Sequence, residues 1–266
     1  MKLKHQNLES FTDRSKNAMY KSWHIPNEII TAYNDLILKT FVHDINAAIS
    51  FTEFPGETSN IPRYFDLESI DVTLKFCQYE YGDVNCVVWD AAIVLAKYLE
   101  NLFVQKKETF ESKTVIELGS GLGCVGLTAA CFGGIVTLTD LSENVQQLKQ
   151  NIDENKHFLK GKAQSITLKW GTTFESEPFD FLLMADCIYY PEVIEALVKT
   201  MIELTTPNTV ILISQELRET EKQKNTWKMF IDLLTEYFTL SYIPEEEQHP
   251  IYRSSDIVLI NAKKKK

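Results

Sequence analysis

The sequence predicts an α/β protein built on a doubly wound, mostly parallel, seven-stranded sheet, and three observations carry that prediction. From residue 89 onward, short runs of β-branched and apolar residues alternate with segments of helical period. The strand candidates are apolar nearly throughout, as strands covered on both faces are, instead of alternating apolar with polar. Six of the ten glycines fall between Gly119 and Gly134, where a strand candidate gives way to a helix candidate, as the first βα turn of such a sheet requires.

The 266 residues allow one to two domains. With 44% hydrophobic and 24% charged residues, the chain can bury a substantial core. Residues 1–21 are polar and charged and read as a loose or partly helical arm. In residues 27–49, Ile29, Ile30, Tyr33, Leu36, Ile37, Phe41, Ile45 and Ile49 recur every three or four positions, predicting an amphipathic helix that packs on the main domain. Residues 51–63 (FTEFPGETSNIPR) hold two prolines and a glycine and read as a linker. The expected division is an N-terminal helical extension with linker, 1–60, and a main domain, 61–266. In that domain strands are expected at 114–118, 135–139, 165–169, 179–185, 209–214, 239–243 and 256–261. Helices are expected at 89–101, 124–131, 143–154, 192–203 and 222–237. Sheets of this kind bind ligands beyond the carboxyl ends of their strands, at the topological switch point.

The charge balance narrows the partners. Twenty-seven basic against 37 acidic residues leave a net charge of −10, which repels phosphates and argues against nucleic acid as a partner. Five cysteines (Cys77, Cys86, Cys124, Cys131 and Cys187) are odd in number and form no CxxC pair. That pattern points to small core residues in a reducing compartment, with neither a disulfide framework nor a zinc site, and no metal is expected. No uncharged apolar run approaches the roughly 18 residues of a membrane span, so a soluble chain without a membrane partner is expected. The expected location is cytoplasmic, and the lysine run 263–266 reads as a solvated tail, with nuclear targeting or an acidic partner as alternatives. His157 and His249 lie in polar stretches and are expected to face solvent.

The stretch VIELGSGLGCVGL carries the chemistry. Gly119, Gly121, Gly123 and Gly126 follow a strand and open a helix, so backbone N–H groups can approach a ligand closely. The spacing Gly121-Leu-Gly123-Cys-Val-Gly126 also satisfies the dinucleotide fingerprint. Asp140 ends the next strand, 19 residues after Gly121, where a carboxylate can accept both ribose hydroxyls of either cofactor type. Glycines and Asp140 together therefore indicate a nucleoside-containing cofactor without naming it, and a tight turn without a ligand remains the plain alternative. Glu117 lies two residues before the first glycine. Asp186, in ADCIYY, follows five apolar residues at a strand end, a costly place for a carboxylate unless it has partners or a task.

With these residues in view, ELGSGLG followed by TDL resembles the cofactor site of class I, seven-stranded, Rossmann-like S-adenosylmethionine-dependent methyltransferases. VNCVVWDAAIVLAKYLE, LKWG, MADCIYY and YRSSDI are, more narrowly, similar to the methyltransferase-like 21 family of protein-lysine methyltransferases. The resemblance runs from about Tyr64 to the C-terminus. It implies S-adenosylmethionine as cofactor, a monomer, and a protein substrate such as valosin-containing protein or a related chaperone or ATPase. It also implies that Glu117, Gly119, Ser120 and Gly121 line the methionine and ribose part of the cofactor, with Asp140 on the ribose hydroxyls and Leu141 of TDL beside it. Trp89 and Trp170 would pack against the cofactor, the latter near adenine, and Ala185 and Asp186 would close the site. Asp186 and Tyr189 match the family's Asp/Glu-x-x-Tyr/Phe signature that presents the target lysine. Leu122 departs from the small hydroxylated residue common at its place, and the first sixty residues lack a counterpart.

These residue types suit methyl transfer to an amine, an in-line displacement that needs a neutral nitrogen about 3 to 3.5 Å from the methyl carbon. A lysine entering an apolar channel beside a cation loses its proton more readily. Asp186 is expected to accept a hydrogen bond from the ammonium and Tyr189 or Tyr190 to orient the amine, while no dedicated base stands out. Packing offers a plain reading of each aromatic: Trp89 and Trp170 as core residues, Tyr189 and Tyr190 as strand-end packing. The rival functions are methylation of a small molecule or nucleic acid, a dinucleotide oxidoreductase, and an interaction module working through the 27–49 helix.

Overall fold

A computed structural model of the chain describes residues 60–79, 87–107 and 109–266. The arm, the 27–49 helix, most of the linker and Cys86 lie outside the described residues. Among those described, no helix is long and apolar enough to cross a membrane, and no group of three or more His, Cys, Asp or Glu could hold a metal ion.

Among the described residues, nine strands and five α-helices follow one another. The strands are β1 (Asn60–Leu67), β2 (Val72–Tyr79), β3 (Thr114–Leu118), β4 (Ile135–Asp140), β5 (Lys162–Thr167), β6 (Phe181–Ala185), β7 (Val210–Glu216), β8 (Phe238–Tyr242) and β9 (Ile257–Lys264). The helices are α1 (Asp90–Val104), α2 (Cys124–Cys131), α3 (Ser142–Asn155), α4 (Ile194–Leu204) and α5 (Glu221–Tyr237). Seven strands form one sheet in the order β5-β4-β3-β6-β7-β9-β8. Every pairing from β5 to β7 is parallel, whereas β9 runs antiparallel between β7 and β8. The chain winds outward from β3 to β4 and β5, then crosses to β6 on the other side of β3. The switch point therefore lies between the carboxyl ends of β3 and β6.

Period-two alternation sends successive strand residues to opposite faces. Val115, Phe181, Leu183 and Leu212 pack beneath α1, α2 and α3. Ile116, Leu182, Met184, Ile211 and Ile213 pack beneath α4 and α5. Covering both faces is what demands strands that are apolar throughout.

The sequence reading missed β1 and β2, and residues 60–63 of the expected linker are strand. The two strands form an antiparallel hairpin turned at Glu68–Ile70, with Asp71 in the left-handed region at φ +53°. Phe65, Leu67, Leu74 and Phe76 alternate with Tyr64, Asp66, Thr73 and Lys75, and all four apolar residues are fully buried. The hairpin's outer edge is closed by side chains of α3. Asn155 accepts from Lys75 N and donates to Lys75 O, both at 2.8 Å, and Asn151 accepts from Cys77 N at 2.9 Å. Two asparagines four residues apart on one helix face thus satisfy a strand edge that would otherwise lie open.

A buried cation fixes the other end of the hairpin. Lys97 of α1 is fully buried, donates to Asp66 O at 2.5 Å and to Glu100 Oε2 at 2.9 Å, and bonds Glu68. Its ammonium lies 5.1 Å from the Phe65 ring and 4.8 Å from that of Tyr252. His249, expected in solvent, is half-buried, and burial together with Lys97 lowers its pKa. The expected solvated tail is also anchored. Lys263 and Lys264 belong to β9, and Lys264 donates to Ile202 O at 2.6 Å and Thr205 O at 2.8 Å.

Removing one partner of a buried ion pair strands the other charge. Lys97→Ala is therefore expected to lower the unfolding free energy by about 3–5 kcal/mol in urea denaturation. Lys97→Met combined with Glu100→Gln should recover most of that loss, because neither buried charge remains.

Candidate active site

The loop after β3 closes through hydrogen bonds to the end of β4. Ser120 N donates to Thr139 O at 2.9 Å, Thr139 N donates to Ser120 Oγ at 3.0 Å, and Gly123 N donates to Ser120 O at 2.8 Å. The Ser120 hydroxyl thus ties the loop to the end of β4, which holds the Ser120 backbone in place beside Gly119 and Gly121. Gly119 and Gly121 adopt φ +62° and +51°, a region that favours glycine. A Cβ on Gly119 would stand 2.7 Å from Cys187 Sγ and 3.2 Å from the Trp170 indole, whereas one on Gly121 would meet nothing within 4 Å. Gly121 thus presents bare backbone to open space, and Trp170 is packed against Gly119.

Two carboxyls hold this loop. Asp140 Oδ2 accepts from Gly121 N at 2.8 Å, while its Oδ1 accepts from Leu141 N at 2.8 Å and Asn144 Nδ2 at 2.6 Å. A carboxylate offers about four lone-pair sites, so Asp140 keeps acceptor capacity. Leu141 is exposed beside it, at the start of α3. Glu117 is 2% exposed and accepts from Gly126 N at 2.9 Å. It therefore sits beneath the loop, bonded to the start of α2. Burial pushes its carboxyl up to about 8, helped by the nearby charge of Asp140.

The second half of the site stands at the ends of β6 and β7. Asp186 follows Ala185 at φ +53°, unusual for a non-glycine residue, and its N donates to Ser214 O at 2.9 Å. Its carboxylate, 8% exposed, accepts from Gln215 Nε2 at 2.7 Å on Oδ1 and from Arg218 Nη2 at 2.6 Å on Oδ2. Burial raises its pKa while Arg218 draws it back down. Gln215 Oε1 accepts from Ile188 N at 3.0 Å, so one amide fixes the turn that leads to Tyr189 and Tyr190. Those two rings lie 4.5 Å apart, and Tyr190 is exposed. Cys187 Sγ donates to Leu118 O at 3.3 Å across the switch point, joining the ends of β3 and β6. Trp89, at the N-terminal boundary of α1, is 39% exposed and faces the Arg218 guanidinium at 5.5 Å. It is not a core aromatic.

Tertiary structure thus gathers Gly119, Gly121, Asp140, Leu141 and Trp170 at one side of the switch point, and Ala185, Asp186 and Trp89 at the other. Sequence reasoning missed Gln215, Glu216 and Arg218. The signal that singled out Asp186, polar residues directly after an apolar strand, is equally present in VILISQELR.

A carboxyl with a folded pKa near 8 against an ordinary 4.5 carries a proton in the native state where the unfolded chain has lost it. Its contribution to stability is whole below the unfolded value and is lost as pH rises toward about 8. Glu117→Gln keeps the acceptor for Gly126 without that ionisation. Thermal unfolding should show the variant gaining on the wild type progressively above about pH 5, with no difference near pH 4.

A family model described as lysine methyltransferase matches residues 68–236. EEF1A lysine methyltransferase 3 of Xenopus tropicalis is 35% identical over 174 residues, covering 64% of this chain and 74% of that protein. Protein N-lysine methyltransferase METTL21A of Mus musculus is 37% identical over 178 residues, covering 64% of this chain and 77% of that protein. Among solved structures, the T. thermophilus 16S rRNA N2 G1207 methyltransferase RsmC, in complex with AdoMet and guanosine, superposes with a TM-score of 0.57. It is 18% identical and covers 80% of this chain and 53% of that one, a likeness of fold. Because the family model spans more than half of its length, this chain belongs to the lysine methyltransferase family.

Proposed function

We propose that this protein transfers methyl groups from S-adenosylmethionine to a lysine side chain of a protein substrate. The proposed target is valosin-containing protein or a related chaperone-class ATPase, met by a monomer in the cytoplasm, with a nuclear fraction. The single observation that carries the cofactor reading is the contact of Asp140 with Gly121 beside an open face of bare backbone. One ribose hydroxyl fits the acceptor site that Asp140 has left after its bonds from Gly121, Leu141 and Asn144. The Trp170 indole against Gly119 and the exposed Leu141 supply apolar surface for a purine. In this reading Trp89 packs against the cofactor and Ala185 closes the site at the end of β6.

When bound, the cofactor supplies an electrophilic methyl group on a sulfonium centre. The protein's task is to bring a lysine amine in line and let it shed its proton. The negative charge at the end of β6 draws a cationic lysine, and the exposed Tyr190 beside Tyr189 offers an aromatic wall along its aliphatic stem. The expected direct bond from the ammonium to Asp186 meets competition, because Gln215 and Arg218 already occupy both of its oxygens. Asp186 thus contributes charge first and a hydrogen bond only through its remaining lone pairs.

Calorimetry and a substrate panel test this reading. Asp140→Asn removes a charge-assisted acceptor, a loss of about 1.5–3 kcal/mol, so affinity for S-adenosylmethionine should drop on the order of 10- to 100-fold. Incubation with tritiated cofactor should label purified valosin-containing protein on lysine, as acid-stable methyl groups. EEF1A belongs in the same panel, since two of the relatives are named for it. Label on EEF1A alone would replace the proposed partner. Absence of label on any protein, with cofactor binding intact, would overturn the protein-lysine reading.

A further inference from the structure

The carboxyl end of β7 carries a charge arrangement that the roles above do not use. Arg218 Nη2 donates to Asp186 Oδ2 at 2.6 Å and to Glu216 Oε2 at 3.0 Å, and its guanidinium carbon lies 5.5 Å from the Trp89 ring centroid. The side chain of Arg218 retains 26% exposure, against 3% for Asp186 and 36% for Glu216. One cation therefore ties together the end of β6, the end of β7 and the start of α1, with its outer edge at the surface. Asp90, the first residue of α1, adds a further negative charge that faces Glu216.

Two carboxylates this close repel one another, and burial disfavours both charges. Arg218 decides the outcome, since a guanidinium holds its charge at any pH of interest and can bond two carboxylates within one plane. With Arg218 in place, Asp186 and Glu216 leave one net negative charge of fixed shape next to an indole face. An aromatic face beside a carboxylate is an environment that attracts an ammonium group.

We propose that Arg218 is a positioning residue for the target lysine, holding Asp186 and Glu216 in one arrangement beside Trp89 so that the mouth of the site presents a defined negative charge. The inference rests on the methyltransferase reading of the site. Arg218 touches neither the reacting nitrogen nor the methyl group. It acts through Asp186, whose other oxygen is fixed by Gln215. The charged or titratable groups around Asp186 are Glu216 at the end of β7, Arg218 two residues beyond it, Asp90 of α1 beyond Glu216, and Lys222 of α5 near Tyr190. Cys187, the next residue, has its thiol pushed up by burial and stays neutral.

The test uses the full chain with Arg218→Gln and Arg218→Lys. The side-chain carboxyl 13C resonance of Asp186, assigned by its absence in Asp186→Asn, reports titration without any turnover. Arg218→Gln should move that titration upward by at least one pH unit, and Arg218→Lys should restore most of the difference. With a methylated protein substrate, the acid limb of kcat/KM should shift upward in parallel. At neutral pH the glutamine variant should fall at least ten-fold in kcat/KM, while its affinity for S-adenosylmethionine stays within three-fold of the wild type. An unmoved Asp186 titration would overturn the proposal. So would a cofactor affinity that falls as far as kcat/KM, which would assign Arg218 to the cofactor side through Trp89. A lower KM with an unchanged acid limb would also overturn it, showing that the guanidinium stands where the lysine must go. If the wild type methylates no protein, the methyltransferase reading fails on its own, and the carboxyl titration still decides whether Arg218 governs Asp186.

Discussion

The loop between β3 and α2 is held from two sides by carboxyls, and the geometry of the site follows from that grip. Glu117, beneath, accepts from the N–H of Gly126 in the first turn of α2. Asp140, from the neighbouring strand, accepts from the N–H of Gly121 on top. A helix N-terminus has unsatisfied donors; Glu117 satisfies that of Gly126, while Asp140 satisfies an N–H of the loop ahead of the helix. Together these contacts leave the intervening backbone with no freedom to collapse into the space a ligand needs. Gly126 must be glycine for a packing reason, since a Cβ there would lie 2.6 Å from Glu117 Oε2.

Glu117 and Asp186 show how the same burial leads to different charge states. Both carboxyls are nearly inaccessible. Glu117 has backbone and hydroxyl donors and no cation, so desolvation prevails and its pKa climbs to about 8. Asp186 has a guanidinium at 2.6 Å, and that attraction opposes the same desolvation. The neutral carboxyl supports a loop, while the paired one carries charge to the mouth of a site.

The hairpin β1–β2 is coupled to this machinery through α3. Asn151 accepts from Cys77 N at 2.9 Å and donates to Leu122 O at 3.1 Å, so one amide joins the hairpin edge to the glycine loop. Lys97 does the equivalent work for α1, the helix whose start carries Trp89. The elements that brace the sheet from outside therefore also set the positions of residues at its carboxyl edge.

Much of this was legible in the sequence. The α2 helix was expected at its observed bounds, and the central strands within two residues, because apolar runs between glycines and helical periods are local signals. The hairpin was missed although Phe65, Leu67, Leu74 and Phe76 alternate as a half-buried strand does, since Pro55, Gly56 and Pro62 give its start the composition of a linker. The edge strand β5 begins three residues earlier than expected, as half-burial gives it a weaker apolar signature. Gly119, Gly121, Asp140 and Asp186 could be selected because residue type and place at a strand end are properties of the chain itself. What Asp186 bonds, that Glu117 lies under the loop, and that Arg218 joins two strand ends to a helix were decided only by the fold. The bonds of Asp186 link residues 29 and 32 positions apart, and no local preference of the chain specifies which distant group will fill a buried acceptor.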